Sequence, residues 1–354
     1  MSRLLAVLRH RLMWPAAVLV LLIAVNVVVT PTFLSVELRD GNLYGSLIDI
    51  LRQAAPLALI GIGMTLVIAT GGIDLSVGSV AAISGAVACL WISKLDNQDS
   101  VGGVLVAIAL AMVLSVACGL WNGVLVSVVG IQPIIATLIL MVAGRGVAQL
   151  ITEGQIITIA SDPYKVIGSG YASLIPFSVL MAAIAVAIAV VLTRLTALGL
   201  MIESIGGNPT ASRLSGILAG RFTIIVYAAT GLCAGIAGLI YTSSVNSADG
   251  SGVGNLIELD AILAVVIGGT ALTGGRFSLA GTVLGAVIIE TIDTSIVALG
   301  VPSNANLLFK AVVVVALFLA QSPEFRSRLA IRRRPGPPAS KEPAQPDAKV
   351  EVPA

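Results

Sequence analysis

Apolar stretches of bilayer-spanning length recur along this chain from one end to the other, and they decide its architecture. A membrane helix needs about 20 predominantly apolar residues. Hydrocarbon leaves only helices and closed barrels able to satisfy their own backbone groups. Ten stretches are readable, near 14–30, 54–70, 77–92, 102–121, 133–151, 176–193, 222–242, 259–273, 279–299 and 306–321. Of the 354 residues 57% are hydrophobic and 11% charged, against about 25% charged in a soluble domain. The chain reads as an all-α polytopic membrane protein with about ten transmembrane helices.

One interruption is far more polar than the others. Thr193 to Arg221 reads TRLTALGLMIESIGGNPTASRLSGILAGR and carries Arg194, Glu203, Arg213 and Arg221. A charge at mid-membrane costs about 2.5–3.5 kcal/mol even on lenient insertion scales, so this island faces water. Its arginines place it in the cytoplasm by the positive-inside rule. Both ends are also basic, with Arg3, Arg9 and Arg11 at one and Arg326, Arg328 and Arg332-Arg333-Arg334 at the other. An even number of spans puts both ends inside, and ten puts the island inside too. Eight spans stay open if short apolar pieces are re-entrant. The expected organisation is a cytoplasmic tail over 1–13 and a transmembrane body over 14–321. The body contains the cytoplasmic loop 193–221, and a disordered tail rich in Pro, Lys and Glu follows over 322–354. Val28-Val29-Thr30-Pro31 is a poor signal-peptidase site, so the first span is read as uncleaved. The outside loop from Glu153 to Ser173 is long enough to form a docking surface.

Little here suggests reaction chemistry. Cys89, Cys118 and Cys233 lie in apolar runs and read as small packing residues. The single histidine, His10, sits among N-terminal arginines, so no metal site is expected. Gly269 to Arg276 lacks the Lys-Ser/Thr pair of a P-loop. No catalytic group and no cofactor are expected, and a net charge of +2 gives no case for nucleic acid. The residues that stand out are charges in or near spans, which are functional candidates by default. Lys310, Glu258 and Asp260 lie at span ends, where the plain reading is that they reach the interface. Asp74 and Arg145 are deeper. Arg276 follows a glycine pair, and Glu290 and Asp293 share a face of the ninth helix. The run from Gly231 through Gly235 to Gly238 is a close-packing signal.

The chain also echoes itself. TGGIDLSVGSVAAISGAV (70–87) and IGGTALTGGRFSLAGTVLGAV (267–287) each join an apolar helix, a glycine pair, a small polar stretch and a Gly/Ala-rich helix. Transporters place such broken helices near the substrate path; chance likeness of two Gly-rich turns is the competing explanation.

GMTLVIATGGIDLSVGSV (63–80), IGGNPTASRLSGI (205–217) and ELDAILAVVIGGTALTGGRFSLAGTVLGA (258–286) resemble, in this order, the permease subunits of bacterial ABC sugar importers of the ribose/galactofuranose type. The resemblance runs from about residue 40 to 322, and stretches 40–78 and 131–158 look closest to the galactofuranose permeases. One departure is Glu290 and Asp293, where that family usually has neutral or amide residues.

The resemblance implies a type II-like importer permease in the bacterial inner membrane that passes a monosaccharide, galactofuranose, from periplasm to cytoplasm. It implies four kinds of neighbour: an ATP-binding subunit, a second permease subunit (identical or different), a periplasmic sugar-binding protein, and membrane lipid. The island would hold the ATPase-coupling segment, with Gly206, Gly207, Asn208, Arg213, Ser215 and Gly216. The breaks would border the translocation path, with Gly71, Gly72, Asp74 and Ser76 from one and Gly268, Gly269 and Thr270 from the other. Gly206 and Gly207 are expected to take backbone angles closed to other residues. Asn208 or Thr210 is expected to cap a short helix through Ala211 to Leu214. Asp74 is read either as a cap of the third helix or as a sugar-hydroxyl contact. Two alternatives stand beside this reading. One is a proton-coupled secondary sugar transporter using Asp74, Glu290 and Asp293 as a relay. The other is an ABC permease for another small solute such as a nucleoside or branched amino acid. A secondary transporter has no evident use for the cytoplasmic island.

Overall fold

The computed structural model describes residues 12–39, 41–302 and 305–321. Among them the first helices in chain order are α1 (Met13–Val29), α2 (Ser46–Ala69), α3 (Val77–Ser93), α4 (Val101–Val124), α5 (Pro133–Ile151) and the short α6 (Asp162–Ser169). Then come α7 (Phe177–Arg194), α8 (Leu198–Gly207), α9 (Pro209–Leu214) and α10 (Ala219–Val245). The last three are α11 (Ile257–Ile267), α12 (Leu279–Ala298) and α13 (Asn306–Gln321). Omitting α6, α8 and α9, these fall on the ten expected stretches. By length and composition α2, α5, α7, α10, α12 and α4 with its π-helical extension to Val129 are long and apolar enough to cross a membrane. The described residues up to Val313 form one packed unit; the described part of the second, from Val314, is helical to Gln321. The expected disordered tail over 322–354, the terminal arginines and His10 lie outside the described residues.

Two boundaries differ from the expected spans for physical reasons. α2 begins at Ser46 rather than 54, because Asp49 and Arg52 pair at 3.5 Å on adjacent turns and let the polar start remain helical. α11 stops after 11 residues at Gly268-Gly269. At 1.5 Å per residue it rises only about 17 Å, roughly half the hydrocarbon thickness. The stretch 259–273 is therefore half a helix followed by irregular backbone. Three short antiparallel pairings tie loops: Glu37–Arg39 with Asn42–Tyr44, Ile157–Thr158 with Ser247–Ala248, and Tyr171–Ala172 with Ile175–Pro176.

α2 is the most enclosed long helix, with Leu59, Ile60, Met64, Val67 and Ile68 fully buried. α10 packs against α2, α3, α4 and α6, and α12 against α1, α2 and α11. Lipid tails are as apolar as these side chains, so close van der Waals packing and interhelical hydrogen bonds replace the hydrophobic drive. The glycine run of α10 supplies the first: a methyl group at Gly238 would overlap the Ala81 carbonyl oxygen, and one at Gly231 that of Ser115. Bonds between helices supply the second. Ser84 Oγ donates to Gly235 O at 2.8 Å, and Asn26 Nδ2 to Ser295 Oγ at 2.6 Å. The Thr65 and Thr282 hydroxyls meet at 2.6 Å, and those of Tyr164 and Thr242 at 2.7 Å. Each such bond is worth about 0.6 kcal/mol on average in a membrane.

Gly238→Val should overpack the α3–α10 contact, at about 1–3 kcal/mol, and reduce the monodisperse yield in size-exclusion chromatography. Gly146→Val, whose added methyl meets no atom within 4 Å, should leave it unchanged. Equal yields would show that the α3–α10 contact yields without cost.

Candidate functional site

The two echoing segments end their helices the same way. After α2, Gly71 takes φ +86°, its amide donates to Ile68 O at 2.8 Å, and the Gly72 amide donates to Val67 O at 3.0 Å. After α11, Gly269 takes φ +87°, its amide donates to Val266 O at 2.9 Å, and the Thr270 amide donates to Val265 O at 3.2 Å. Both are the paired closure of a Schellman motif, which needs a left-handed residue that only glycine adopts without strain. After each break a serine precedes the next helix: Ser76 before α3, and Ser278 before α12, where its hydroxyl caps the Gly281 amide at 3.1 Å. Shared geometry at matching places argues against chance likeness.

The breaks also touch. The Gly275 amide donates to Ala69 O, the last residue of α2, at 2.9 Å. A methyl at Gly274 would come within 3.1 Å of Gly71. The polar island closes over this junction. A methyl at Gly206, in the last turn of α8, would overlap Ala69 O and sit 2.5 Å from Gly275 N. Arg194, at the end of α7, donates to Phe277 O at 3.5 Å, with its guanidinium 5.8 Å from the Phe277 ring centre. Gly206 is therefore small for close approach, and both Gly206 and Gly207 lie within helical α8, which corrects the expectation of unusual backbone angles. The left-handed angle falls on Gly216, at φ +81°. Asn208, rather than Thr210, caps α9, its Oδ1 accepting from the Ala211 amide at 3.0 Å with Pro209 at the first helical position. Arg213 and Ser215 are exposed, and Leu214 is 86% exposed.

Asp74 is buried in the first break. Its Oδ1 accepts from the Ser76 amide at 2.9 Å and the Ser76 hydroxyl at 2.6 Å. Asn122 Nδ2 of α4 donates to Ser76 Oγ at 2.8 Å. The carboxylate thus organises the entry to α3 and ties it to α4. Gly72 and Gly268 are buried, Gly71 and Gly269 exposed. Thr270 is buried, and its Oγ1 accepts from the Ser278 amide at 3.2 Å.

Arg145 of α5 turns to a loop. It donates to the carbonyls of Val253 at 2.6 Å, Gly254 at 3.2 Å, and Gly250 and Ser251 at 3.4 Å. In the same loop the Ser251 hydroxyl and amide, at 2.7 and 2.8 Å, hold the Asp249 carboxyl below the usual carboxylate range. Gly78 of α3 leaves room beside it for Gly254 O and the buried Glu258 carboxylate.

Lys310 does not simply reach for an interface. Its Nζ lies 2.9 Å from both Asp260 Oδ2 and Asp293 Oδ2, joining α11 and α12 to the first turns of α13. One cation among several carboxylates in the last spans is the sequence signal that would have found this cluster. Glu290, a turn from Asp293, feels the charges of this cluster, but its carboxylate makes no hydrogen bond or ion pair among the described residues. It lines a cavity of about 410 Å³ with Arg52, Gln53 and Tyr241. A second cavity, of about 380 Å³, shares Tyr241, Ser244 and Val245 with the first and reaches Asp249 and Asp260.

Residues 46–318 match the family described as branched-chain amino acid transport system / permease component. The chain is 47% identical over 326 residues to the galactofuranose transporter permease protein YtfT of Escherichia coli, covering 90% of this chain and 93% of that protein. It is 42% identical to the fructose import permease protein FruF of Bifidobacterium longum, covering 92% of each. It is 36% identical to the ribose import permease protein RbsC of Haemophilus influenzae, covering 86% and 91%. No solved structure matches this chain.

Arg145→Met removes the donors for four loop carbonyls. Hydrogen exchange over 249–255, followed by mass spectrometry, should accelerate by about tenfold or more, as a locally opened segment does. Arg145→Lys should restore only part of the protection, because a compact ammonium cannot span the carbonyls a guanidinium reaches. Unchanged exchange in Arg145→Met would show that the loop holds itself.

Proposed function

The chain belongs to the family of branched-chain amino acid transport system permease components, and from that premise we propose that it is the membrane-spanning permease of an ATP-driven importer that carries a monosaccharide, galactofuranose, from periplasm to cytoplasm. The observation that carries the substrate class is the near full-length likeness to three permeases named for sugars, strongest for the galactofuranose one. In this reading the chain lies in the bacterial inner membrane, with both termini and the loop 193–221 in the cytoplasm. The loop 152–175 faces a periplasmic sugar-binding protein, and a second permease subunit completes the pore.

The ATP-binding subunit meets the island. α9 is capped by Asn208, projects Arg213 and Leu214 into solvent, and is separated from α8 only by that single extended residue. Force on α9 therefore reaches Gly206, which rests on the hydrogen bond between the two broken helices. A small shift there re-registers both breaks together. That is how a packed contact with two arrangements converts a local push into a global change. The sugar needs only weak, replaceable polar contacts on its way, since tight binding in the pore would slow release. The proton-coupled alternative has less support: of its three carboxylates Asp293 is bonded to Lys310 and Asp74 to Ser76, which leaves Glu290 alone unbonded among the described residues.

Two experiments test this. Gly206→Val forces the junction apart, and Arg213→Glu reverses the charge offered to the ATPase. Both should leave the protein in the membrane while lowering sugar uptake and stimulated ATP hydrolysis together; normal stimulation in both would sink the coupling assignment. In vesicles holding the chain with its ATPase, partner permease and binding protein, uptake should require ATP and be little changed by a protonophore. Uptake that persists without ATP and collapses with the protonophore would overturn the importer.

A further inference from the structure

We infer that the cavity between α2, α10 and α12 is a low-affinity subsite for a neutral polyhydroxylated ligand, in which Glu290 is the specificity-determining acceptor and Arg52 with Gln53 the facing donors. The inference rests on the importer reading and deepens it, because it names where in the permease the sugar is handled.

Five observations converge on it. The cavity, about 410 Å³, lies within the range of about 300–1,000 Å³ usual for small-molecule sites. Glu290 stands in its wall with its carboxylate unbonded among the described residues, while the nearby Lys310 is used by Asp260 and Asp293. A carboxylate left without a partner in a membrane protein is costly, and such residues mark substrate pathways. Arg52 lines the same cavity and, among the described residues, is held only by a 3.5 Å pair with Asp49, which leaves most of its five donors for a ligand. Gln53 makes no hydrogen bond among the described residues and offers both a donor and an acceptor. Tyr241 also lines it, and an aromatic side chain of this kind pairs an apolar ring, suited to sugar C–H groups, with a polar hydroxyl.

The mix of donors and acceptor selects the ligand class. The cavity offers donors at Arg52 and Gln53 and an acceptor at Glu290, so a ligand that only donates or only accepts leaves part of it unpaired. A ligand with alternating hydroxyl donors and acceptors satisfies both. The second cavity shares Tyr241, Ser244 and Val245 with the first and adds Ser247, Asp249 and Asp260, further partners for hydroxyl groups nearby.

The test uses the assembled complex, with its ATPase, partner permease and binding protein. In vesicles, uptake of labelled D-galactose, D-fructose and D-ribose is measured at saturating binding protein for the unaltered chain, Glu290→Gln, Glu290→Ala and Arg52→Gln. Folding is checked by size-exclusion chromatography. Glu290→Ala and Arg52→Gln should each lower uptake by about tenfold, the size of one lost hydrogen bond to a charged group. Stimulated ATP hydrolysis should fall less than twofold, and the preference among the three sugars should change with Glu290→Ala. Glu290→Gln, which keeps an acceptor, should recover most of the rate. In parallel, saturation-transfer NMR of D-galactose against the complex in nanodiscs should give a signal that Glu290→Ala abolishes and Glu290→Gln retains. Unchanged rates, sugar preference and NMR signal in Glu290→Ala and Arg52→Gln would overturn the subsite while leaving the importer standing. A complex that takes up no sugar with ATP, yet shows the Glu290-dependent NMR signal, would overturn the importer and keep the subsite.

Discussion

The hydrogen bond from the Gly275 amide to the Ala69 carbonyl is the point on which the rest of the structure depends. Each partner is free for it only because a helix has been stopped. Ala69 is the last residue of α2, whose terminal carbonyls lack a continuing helix to receive them. Gly275 sits in the irregular backbone that follows α11. Irregular backbone at membrane depth is tolerated only where protein or water satisfies it, and here each break satisfies the other. The contact is narrow enough that a methyl at Gly206 would intrude on both bonded atoms. An element that must pass this close to two others has no lateral freedom, so it moves only with them.

The same accounting explains the charges. Arg145 answers loop carbonyls, Asp74 answers a helix entry, and Lys310 answers two carboxylates. These are structural uses: each removes the cost of a polar group or charge in a poor solvent by pairing it inside the protein. Against that background Glu290 differs, since it lines a cavity and its carboxylate has no hydrogen-bond or ion-pair partner among the described residues.

Much of this is legible in the sequence, and the limit falls at a definite place. The apolar runs locate ten helices because lipid permits little else. The glycine pairs at 71–72 and 268–269 announce two helix ends because few other uses exist for them after an apolar run. Asn208 before Pro209 announces a cap. What the sequence does not carry is which ends meet. The contacts of Gly206 with Ala69 and Gly275 join segments far apart in the chain, and no local pattern encodes that distance. Gly206 shows the resulting error: a glycine beside another glycine reads as a turn, yet here it is helical and small for the sake of a neighbour. Lys310 shows another, since a lysine near a span end reads as reaching outward until Asp260 and Asp293 are placed beside it.

The junction and the cavity lie on the same helices. α2 carries Arg52 and Gln53 near its start and Ala69 at its end, 17 residues from Arg52, which is about 25 Å of helix. α12 carries Gly281, packed on Gly268, near its start and Glu290 in its middle. The Thr65–Thr282 contact joins the two helices on the way. A displacement at the junction is therefore handed along α2 and α12 to the cavity walls without an intermediary. Donors on α2 and the acceptor on α12 then separate or approach as the two helices shift against each other. A site made from two helices that move relative to one another holds its ligand in one arrangement and releases it in the other. One made from a single helix would hold it in both. That difference, more than the number of polar groups, would make a cavity with five polar side chains suited to passing a solute instead of keeping it.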